Sequence, residues 1–409
     1  MPDLDERLAR GRVAVLDAID QPPLEALQAR ATTRRHRRAS IRAGAALAVV
    51  VGVALAVVRP WSADPGPAPD VATERPPRAV YTDAGITVNG LDSLGDVHEM
   101  PGAITDVEFP DADRGYAIAC DASSCTIGRT SDGGLTWQSN TLPAAMGRAV
   151  DMLPFPGDAL VVTTHGRAHS GWISFDGGQT WRLAPAATGT PVIARKGEIL
   201  RLADSGGVEV WSPRAGYRGD LADPPIDVRW VASVPTATGA WWVGGVDRGT
   251  GRPAIAVTAD GGARWTKTVL DGAGQDASSV QVSVLGSHAY AMVLAGNGPW
   301  PKAVVAIFHS ADGGKHFTLT RAPGAKGGPP LVSGALIPLL DGRLLVAGGN
   351  HRWYVSPDDG ATFTLTGEHL PAVSRLGMTP GGYVAYNLFN TEWAAFSSDG
   401  STWRKLRTH

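Results

Sequence analysis

The chain repeats a pair of short apolar runs that are separated by a polar turn. Clear examples are ITDVEFPDADRGYAIAC from Ile104, SVQVSVLGSHAYAMVLAG from Ser279 and LVSGALIPLLDGRLLVAGG from Leu331. Apolar runs of this length, bounded by Gly, Pro and Asp, are typical of β-strands rather than helices. Each pair therefore predicts two neighbouring strands, which we call strands a and b.

A second motif, Ser/Thr-x-Asp-x-Gly-x-Thr-Trp, follows the paired runs, with Phe in place of Trp in two copies. The six copies place their aspartates at Asp132, Asp176, Asp260, Asp312, Asp358 and Asp399. A degenerate seventh copy keeps Ser212 and Gly216 but has Arg214 where the aspartate should stand. The seven copies recur about every 44 residues, which is the period of a four-stranded propeller blade. The sequence thus predicts an all-β, seven-bladed β-propeller.

The motif also has a physical reason to recur. At the turn between strands c and d of a blade, an aspartate can accept backbone N–H bonds and glycines permit positive φ, while the aromatic ring covers the turn. Since every blade closes the same hairpin, the six aspartates are interpreted as structural and not catalytic.

These motifs resemble the Asp-box, or BNR, repeat of sialidases, sortilin-type receptors and photosystem II assembly factors. The resemblance covers residues 102–409 and implies the propeller fold. A sialidase would also need an arginine triad, a tyrosine nucleophile with a glutamate partner, and an acid/base aspartate. The stretch AGITVNGLDSLGDVHEMPGAITDVEF has no arginine where that family has its Arg-Ile-Pro signature. No catalytic residue is therefore carried over, and the first repeat looks closer to the assembly-factor propellers, which bind protein.

The N-terminal region carries a membrane signal. Residues 43–58 (AGAALAVVVGVALAVV) contain no charged or polar side chain and follow a cluster of five arginines. The run is shorter than the about 20 residues of an average span, but flanking arginines can extend it. We predict a transmembrane helix over residues 41–58, a cytoplasmic tail over 1–40 that could be helical, and an extracellular remainder. A cleaved signal peptide is the alternative.

Residues 59–84 are rich in proline and predict a semi-rigid linker before the propeller of residues 85–409. The last blade looks complete from C-terminal strands alone, so AGITVNG could add an outer strand to it. Cys120 and Cys125 flank a hairpin loop and are expected to form a disulfide in an exported domain, the alternative being two buried thiols. Arginine far outnumbers lysine, which indicates a GC-rich, bacterial coding sequence.

The b–c connections should surround one mouth of the central channel, where propeller ligands usually bind. They are rich in His, Arg and Trp. The candidate ligand-binding residues are His165, Arg167, His169, Arg248, Arg252, Trp300, Lys302, His351, Arg352 and Trp353. Such a rim would suit an anionic sugar or an acidic loop of a protein, with Trp300 and Trp353 as flat contact surfaces. The alternative is that these loops are polar only because they face water.

We therefore predict a single-pass membrane protein of the cell envelope that binds an extracytoplasmic protein or glycan without catalysis. The alternatives are an exo-glycosidase of the sialidase type, for which a glutamate near Tyr386 is the first candidate, and a transmembrane sensor. A net charge of −2 gives no indication of nucleic-acid binding. No cofactor is expected, and no metal, because the histidines lack the spacing and the carboxylates of a metal site.

Overall fold

A computed structural model describes most of the propeller region. The described residues are 80–89, 96–97, 100, 103–121, 124–146, 149–164, 171–184, 191–203, 206–274, 277–296, 300–366, 370–386 and 394–408. They belong to one compact unit, Pro76–His409. The predicted tail, membrane helix and nearly all of the linker lie outside the described residues. Among the residues that are described, no helix is both long and apolar enough to cross a membrane.

Within the described residues, 31 strands form seven separate sheets, which we call blades 1 to 7. Three strands precede the first blade: β1 (Tyr81–Asp83), β2 (Ile86–Asn89) and β3 (Asp96–Val97). Blade 1 consists of β4 (Ala103–Glu108), β5 (Gly115–Cys120), β6 (Cys125–Thr130) and β7 (Gln138–Thr141). A short 3-10 helix, Ala144–Met146, follows it. Blade 2 consists of β8 (Ala149–Pro154), β9 (Leu160–Thr164), β10 (Gly171–Ser174) and β11 (Arg182–Leu183).

Blade 3 has three strands among the described residues: β12 (Ile199–Leu202), β13 (Val208–Ser212) and β14 (Gly216–Asp220). Blade 4 consists of β15 (Ile226–Val231), β16 (Trp241–Asp247), β17 (Pro253–Thr258) and β18 (Thr266–Val269). Blade 5 consists of β19 (Ala277–Leu285), β20 (His288–Ala295), β21 (Lys302–Ser310) and β22 (Thr318–Arg321), with β23 (Leu331–Val332) paired to β21.

Blade 6 consists of β24 (Ile337–Pro338), β25 (Leu344–Ala347), β26 (Trp353–Ser356) and β27 (Thr364–Leu365). Blade 7 contains β28 (Arg375–Thr379), β29 (Gly382–Tyr386), β30 (Ala394–Ser397) and β31 (Thr402–Thr408). Neighbouring strands within each blade are antiparallel along the chain.

Seven hydrophobic cores show that the blades form a closed ring. Each core lies between two consecutive blades, because both faces of every sheet are apolar. The remaining core joins blade 7 to blade 1, where Phe396 stacks on Phe109 with ring centroids 3.8 Å apart. The backbone of the same two blades also meets, because the amide of Gly381 donates to the carbonyl of Phe109 at 2.7 Å. The prediction of a seven-bladed propeller is confirmed.

Blade 7 is completed by C-terminal strands and extended by the N-terminal segment. Strand β2 pairs in parallel with β31, matching Thr87 with Thr402, and β1 then adds outside β2. Arg343 of blade 6 donates to the carbonyls of Ala84 and Gly85 at 2.7 and 3.3 Å. The outer strand that AGITVNG could add is therefore present as β2.

Each aspartate turn joins strands c and d and is closed by the same hydrogen bonds. In blade 2, the carboxylate of Asp176 accepts from the amides of Gln179 and Thr180 at 3.0 and 2.9 Å and from the Thr180 hydroxyl at 2.6 Å. Gly178 adopts positive φ and donates to Ser174 Oγ at 2.7 Å. The aspartates of four other copies also accept from the amide four residues further on. In the shorter last copy, Asp399 accepts instead from the amides of Ser401 and Thr402.

The degenerate copy in blade 3 keeps part of this arrangement. Ser212 Oγ accepts from the amides of Arg214 and Ala215 at 3.2 and 3.4 Å, so the serine still supports the turn after the aspartate has been lost. In blade 1, a disulfide bond joins Cys120 to Cys125 across the b–c connection.

We expect Asp176→Ala to lower the free energy of unfolding by about 1–3 kcal/mol, because it leaves the donors of the turn without their acceptor. Hydrogen bonds, led by that of Thr180, outweigh partial burial and lower the pKa of Asp176 from 3.8 to about 2. The wild-type advantage should therefore be complete above pH 3.8 and should shrink as the pH falls towards 2. Urea denaturation measures both effects.

The matched control is Asp113→Ala, since that exposed side chain makes no hydrogen bond with another described residue. Equal stability of the two variants at pH 7 would contradict a structural role for Asp176.

Candidate functional site

The inner edges of the blades enclose a central cavity of about 650 Å³. Trp300 and His351 lie at the end formed by the b–c connections, and Thr236 and Pro380 lie towards the a–b turns. The wall is mostly apolar on the side of blades 4 and 5, where Trp230 and Val282 contribute. The lining residues with a carboxylate or a guanidinium are Glu108 of blade 1 and Arg375 of blade 7, so the cavity is chemically two-sided.

One ion-pair network ties blade 2 to blade 3 beside the cavity. Arg201 donates to Asp151 at 3.2 Å and to Glu209 at 3.1 Å. Glu209 is fully buried, and its Oε2 also accepts from Trp211 Nε1 at 2.9 Å. The guanidinium of Arg201 therefore provides a compensating positive charge for a carboxylate group in the interior.

Asp106 connects blade 1 to blade 2. Its two carboxylate oxygens accept from the amides of Val107 and Met152 at 3.0 and 2.9 Å, and its side chain is buried. Burial raises its pKa to about 6, although nearby Arg375 and the two amide hydrogen bonds act in the opposite direction. Asp106 is thus a structural carboxylate, and keeping it ionised in this buried position costs free energy.

Glu108 and Arg375 complete the charged side of the cavity, and both line it. Burial, with the negative charge of Asp106, raises the pKa of Glu108 well above its usual range. The guanidinium carbon of Arg375 lies 5.5 Å from the ring centroid of Tyr386, and its side chain is open to the cavity. Neither Glu108 nor Arg375 forms an ion pair or a side-chain hydrogen bond with another residue in the described part of the chain.

Tyr386 also lines this side of the cavity, next to the guanidinium of Arg375. It is buried, and burial raises its pKa although Arg375 opposes the rise. The pKa of Arg375 is raised by Tyr386 first, and then by Asp106, Glu108 and Asp151. The cavity therefore holds a permanently charged guanidinium beside a carboxyl group that retains its proton to higher pH than an ordinary glutamate.

Blades 4 and 5 contain two buried polar atoms without a partner among the described residues. Trp242 and Gln281 both line the cavity and are more than nine-tenths buried. Among the described residues, neither Trp242 Nε1 nor Gln281 Oε1 has a hydrogen-bond partner. One donor and one acceptor are thus left over in a region where buried polar groups are normally paired.

The predicted rim residues divide into three groups. Trp300, 41 % exposed, and His351 line the cavity, and Lys302 lies over the Trp300 ring at 5.7 Å. Arg248 and Arg252 do not line it. Arg248 pairs with Asp223 and Asp227, and Arg252 pairs with Asp271.

The remaining predicted residues lie elsewhere. Arg352 donates to the carbonyl of Thr366 at 3.2 Å. The prediction of Trp353 as a flat contact surface is wrong, because its ring is 1 % exposed in the core between blades 6 and 7 and its Nε1 donates to the carbonyl of Pro371. His165, Arg167 and His169 lie outside the described residues, as does Glu392.

Reasoning from the sequence missed the charged inner strands altogether. Asp106, Glu108, Asp151, Arg201 and Arg375 are charged positions among mostly apolar neighbours in the first strands of their blades. That contrast was the available signal, since a charge in an inner strand must face a channel or a partner. Over the same described ranges, no group of three or more His, Cys, Asp or Glu side chains could hold a metal ion.

The fold and this two-sided channel define a seven-bladed β-propeller. No protein-family model matches the chain, and no curated protein matches it. Among solved structures, the chain is similar to YCF48 from Cyanidioschyzon merolae, with 14 % identity over 79 % of this chain and 97 % of that one and a TM-score of 0.46. It is also similar to YCF48 bound to D1 peptide (17 % identity, 76 % and 88 % coverage, TM-score 0.34). A third is the GH74 enzyme of Niastella koreensis (13 % identity, 74 % and 65 % coverage, TM-score 0.37).

Replacing Arg201 by methionine should lower the free energy of unfolding by about 3–5 kcal/mol, because it leaves Glu209 buried without a compensating charge. The double variant Arg201→Met/Glu209→Gln should recover most of this loss, since the buried charge is then gone and Asp151, whose side chain is 46 % exposed, can be solvated by water. Denaturant unfolding at neutral pH measures both.

Arg114→Met is the control, because it breaks the partly exposed pair with Asp111 and should cost less than about 1 kcal/mol. A loss in Arg201→Met no larger than in this control would show that the network does not stabilise the junction of blades 2 and 3.

Proposed function

We propose that this chain is a membrane-anchored, extracytoplasmic propeller of the Asp-box type whose central channel binds part of a protein partner or a glycan without catalysis. The anchor is supported by the uncharged run of residues 43–58 and its arginine flank. The Asp-box assignment is supported by six turns that share the motif and in which the aspartate carboxylate accepts a backbone amide of the turn.

The observation that carries the binding role is Arg375. A guanidinium has five N–H donors, and a group of this kind in a cavity is normally paired with carboxylate. Arg375 has only the Tyr386 ring as a described partner, while the nearby carboxylates of Asp106 and Asp151 are engaged by other donors. Its donors are thus directed to no group of the described chain, which is the arrangement of a binding residue.

The cavity has the size and wall that binding requires. Its volume of about 650 Å³ falls in the range of small-ligand and peptide side-chain pockets. Trp300 and Leu331, 41 % and 40 % exposed, stand beside the open end on neighbouring segments of blade 5. An exposed tryptophan near a channel mouth offers a rigid contact surface for a partner.

Cross-linking capture from native membranes tests the proposal, with the full 409-residue chain as bait. We expect Arg375→Ala to abolish a capture that wild type makes, and Trp300→Ala to weaken it. Arg182→Ala is the matched control, because Arg182 is exposed and lies over Phe175 on blade 2, away from the cavity. Equal capture by wild type and Arg375→Ala would overturn the channel as the binding site.

A hydrolase is the second candidate, favoured by one specific observation. The structure brings two carboxyl groups of raised pKa, Asp106 and Glu108, close enough to Tyr386 to shift its pKa. A carboxyl that keeps its proton near neutral pH can act as a general acid. A sialidase triad is incomplete among the described residues that line the cavity, since Arg375 is the one arginine among them.

A fluorogenic sialoside, with a panel of neutral aryl glycosides beside it, separates the two functions. A non-catalytic propeller should release no more fluorophore than Glu108→Gln does. Turnover by wild type that falls at least about 100-fold in Glu108→Gln would establish the hydrolase, because general acid catalysis contributes about that much.

A further inference from the structure

Four polar side chains meet where blade 5 packs against blade 6, and we call them the histidine cluster. His288 and Tyr290 belong to β20, and His309 lies opposite Tyr290 on β21. Asp359 belongs to the aspartate turn between β26 and β27 of blade 6. The Tyr290 hydroxyl donates to one carboxylate oxygen of Asp359 at 2.8 Å, and Nδ1 of His309 lies 3.4 Å from the other. The cluster therefore connects the two blades through one carboxylate.

Asp359 occupies a position that is glycine in the other full-length turns. The residue after the motif aspartate has φ between 71° and 74° in those four copies, where it is Gly133, Gly177, Gly261 or Gly313. Asp359 has φ 56°, a left-handed conformation that costs stability for a residue with a Cβ atom. Glycine would avoid this cost but could not reach blade 5. The contacts of this carboxylate with blade 5 are therefore the feature that sets this turn apart.

The two imidazole rings of the cluster share one hydrogen bond. Nδ1 of His288 and Nε2 of His309 are 2.8 Å apart, the ring planes differ by 4°, and the ring centroids are 5.1 Å apart. This centroid distance equals the N···N distance plus one ring radius at each end, so the rings are coplanar and the two nitrogens point at each other. One proton fits between them. A metal ion does not, because two metal–nitrogen bonds of about 2.0 Å in line would need about 4 Å.

The surroundings decide which nitrogen holds that proton at neutral pH. Asp359 attracts a proton to Nδ1 of His309, so Nε2 of the neutral ring is the acceptor and Nδ1–H of His288 is the donor. His288 is exposed, so it can take up a proton at its other nitrogen without losing this bond. A proton on Nε2 of His309 would instead place two N–H groups head to head. The bond therefore survives the first protonation of the pair and not the second.

We propose that the histidine cluster is an acid-sensitive switch in which His309 changes its partner. At neutral pH, Nε2 of His309 accepts from His288 within blade 5. When both rings are protonated, this bond breaks, His288 turns to solvent, and the His309 imidazolium forms a closer ion pair with Asp359 of blade 6. Acid thus weakens a contact between β20 and β21 and strengthens a contact between two blades. The switch goes beyond the proposed binding function and does not depend on it.

The groups that face His309 set the direction of its response to pH. It faces His288 and Tyr290 from β20, Asp359 from blade 6, and the uncharged Thr318 from β22. Burial lowers the pKa of His309 below 6.5, Asp359 acts in the opposite direction, and His288 lowers it further. As the pH falls, the unfolded chain therefore binds a proton before native His309 does. This residue should make wild type less stable as the pH drops below 6.5.

Double-mutant cycles on the full 409-residue chain test the switch, with urea unfolding at about pH 8 and about pH 5 as the measurement. The first cycle combines His288→Gln with His309→Gln. At the higher pH, we expect a coupling of about 2- to 10-fold in the unfolding equilibrium constant, which is the usual contribution of one hydrogen bond. At the lower pH this coupling should be lost, because both rings are then protonated.

The second cycle combines His309→Gln with Asp359→Asn. Asparagine tolerates the left-handed conformation and still accepts from Tyr290, so this variant removes the charge and keeps the turn. The coupling should increase by at least about 2-fold in the unfolding equilibrium constant from the higher to the lower pH, because only a protonated His309 is attracted to the carboxylate. The two couplings should thus change in opposite directions, which a purely structural cluster would not produce.

His316→Gln is the matched control on the same blade. His316 is exposed, and its Nδ1 lies 2.6 Å from Asp312 in the turn that follows β21. Both couplings should persist with their opposite pH dependence when the cycles are repeated in this background. Arg321 of β22 keeps its charge in every variant and donates to the carbonyl of Ala361, so this bond to the turn of Asp359 is left in place.

Two results of the cycles would overturn the inference. They are a coupling of His288 with His309 that is equal at both pH values, and a coupling of His309 with Asp359 that does not increase on acidification. If a variant does not fold, hydrogen exchange of wild type decides instead. After correction for the intrinsic rate, acid should increase the protection of residues 356–363 and not that of residues 258–265, the matching turn of blade 4 with Gly261 in place of Asp359. Equal changes in the two turns would contradict the switch.

Discussion

The structure depends on one constraint, which is that every blade has two apolar faces and no blade can bury both of them alone. Each blade buries its two faces by sharing one core with each of its two neighbours. This gives seven cores only if the last blade packs against the first. The stacked rings of Phe109 and Phe396 and the β2 extension of blade 7 lie at or beside that junction. The ring must therefore close for every apolar face to be buried, and the closed ring determines the shape of the central channel.

The aspartate turns are the local counterpart of this constraint. A sheet can present two flat apolar faces only if its outer hairpin turns tightly. In a longer loop, the backbone amides would bond to water, whereas in this turn they donate to the aspartate carboxylate. Blade 3 shows that a blade can form without the aspartate of its turn. It keeps the serine of the turn and packs Trp211 against Tyr217, although it has three strands in the described chain.

The fold could be predicted from the sequence because its determinants are local and repeated. The turn motif and the paired apolar runs recur at a nearly constant period. A degenerate copy can therefore be recognised from the positions of the clear copies on either side of it. The binding residues do not recur. Trp353 looked like a loop residue from its position after Arg352, yet the first residue of β26 points into a core. Glu108 and Arg375 are 267 residues apart, and only the closure of blade 7 onto blade 1 brings them together.

The charged residues around the channel are of two kinds. Some join neighbouring blades through hydrogen bonds or ion pairs, and others do not. Asp106 bonds to blade 2, and Arg201 joins Asp151 to Glu209, so each of these offsets its desolvation with contacts between blades. Glu108 and Arg375 are partly desolvated in the same place and join no blades through hydrogen bonds of their own side chains among the described residues. Leucine or methionine at these positions would satisfy the packing of an inner strand at lower cost. Side chains that cost stability and return none within the fold are expected where a protein binds something else.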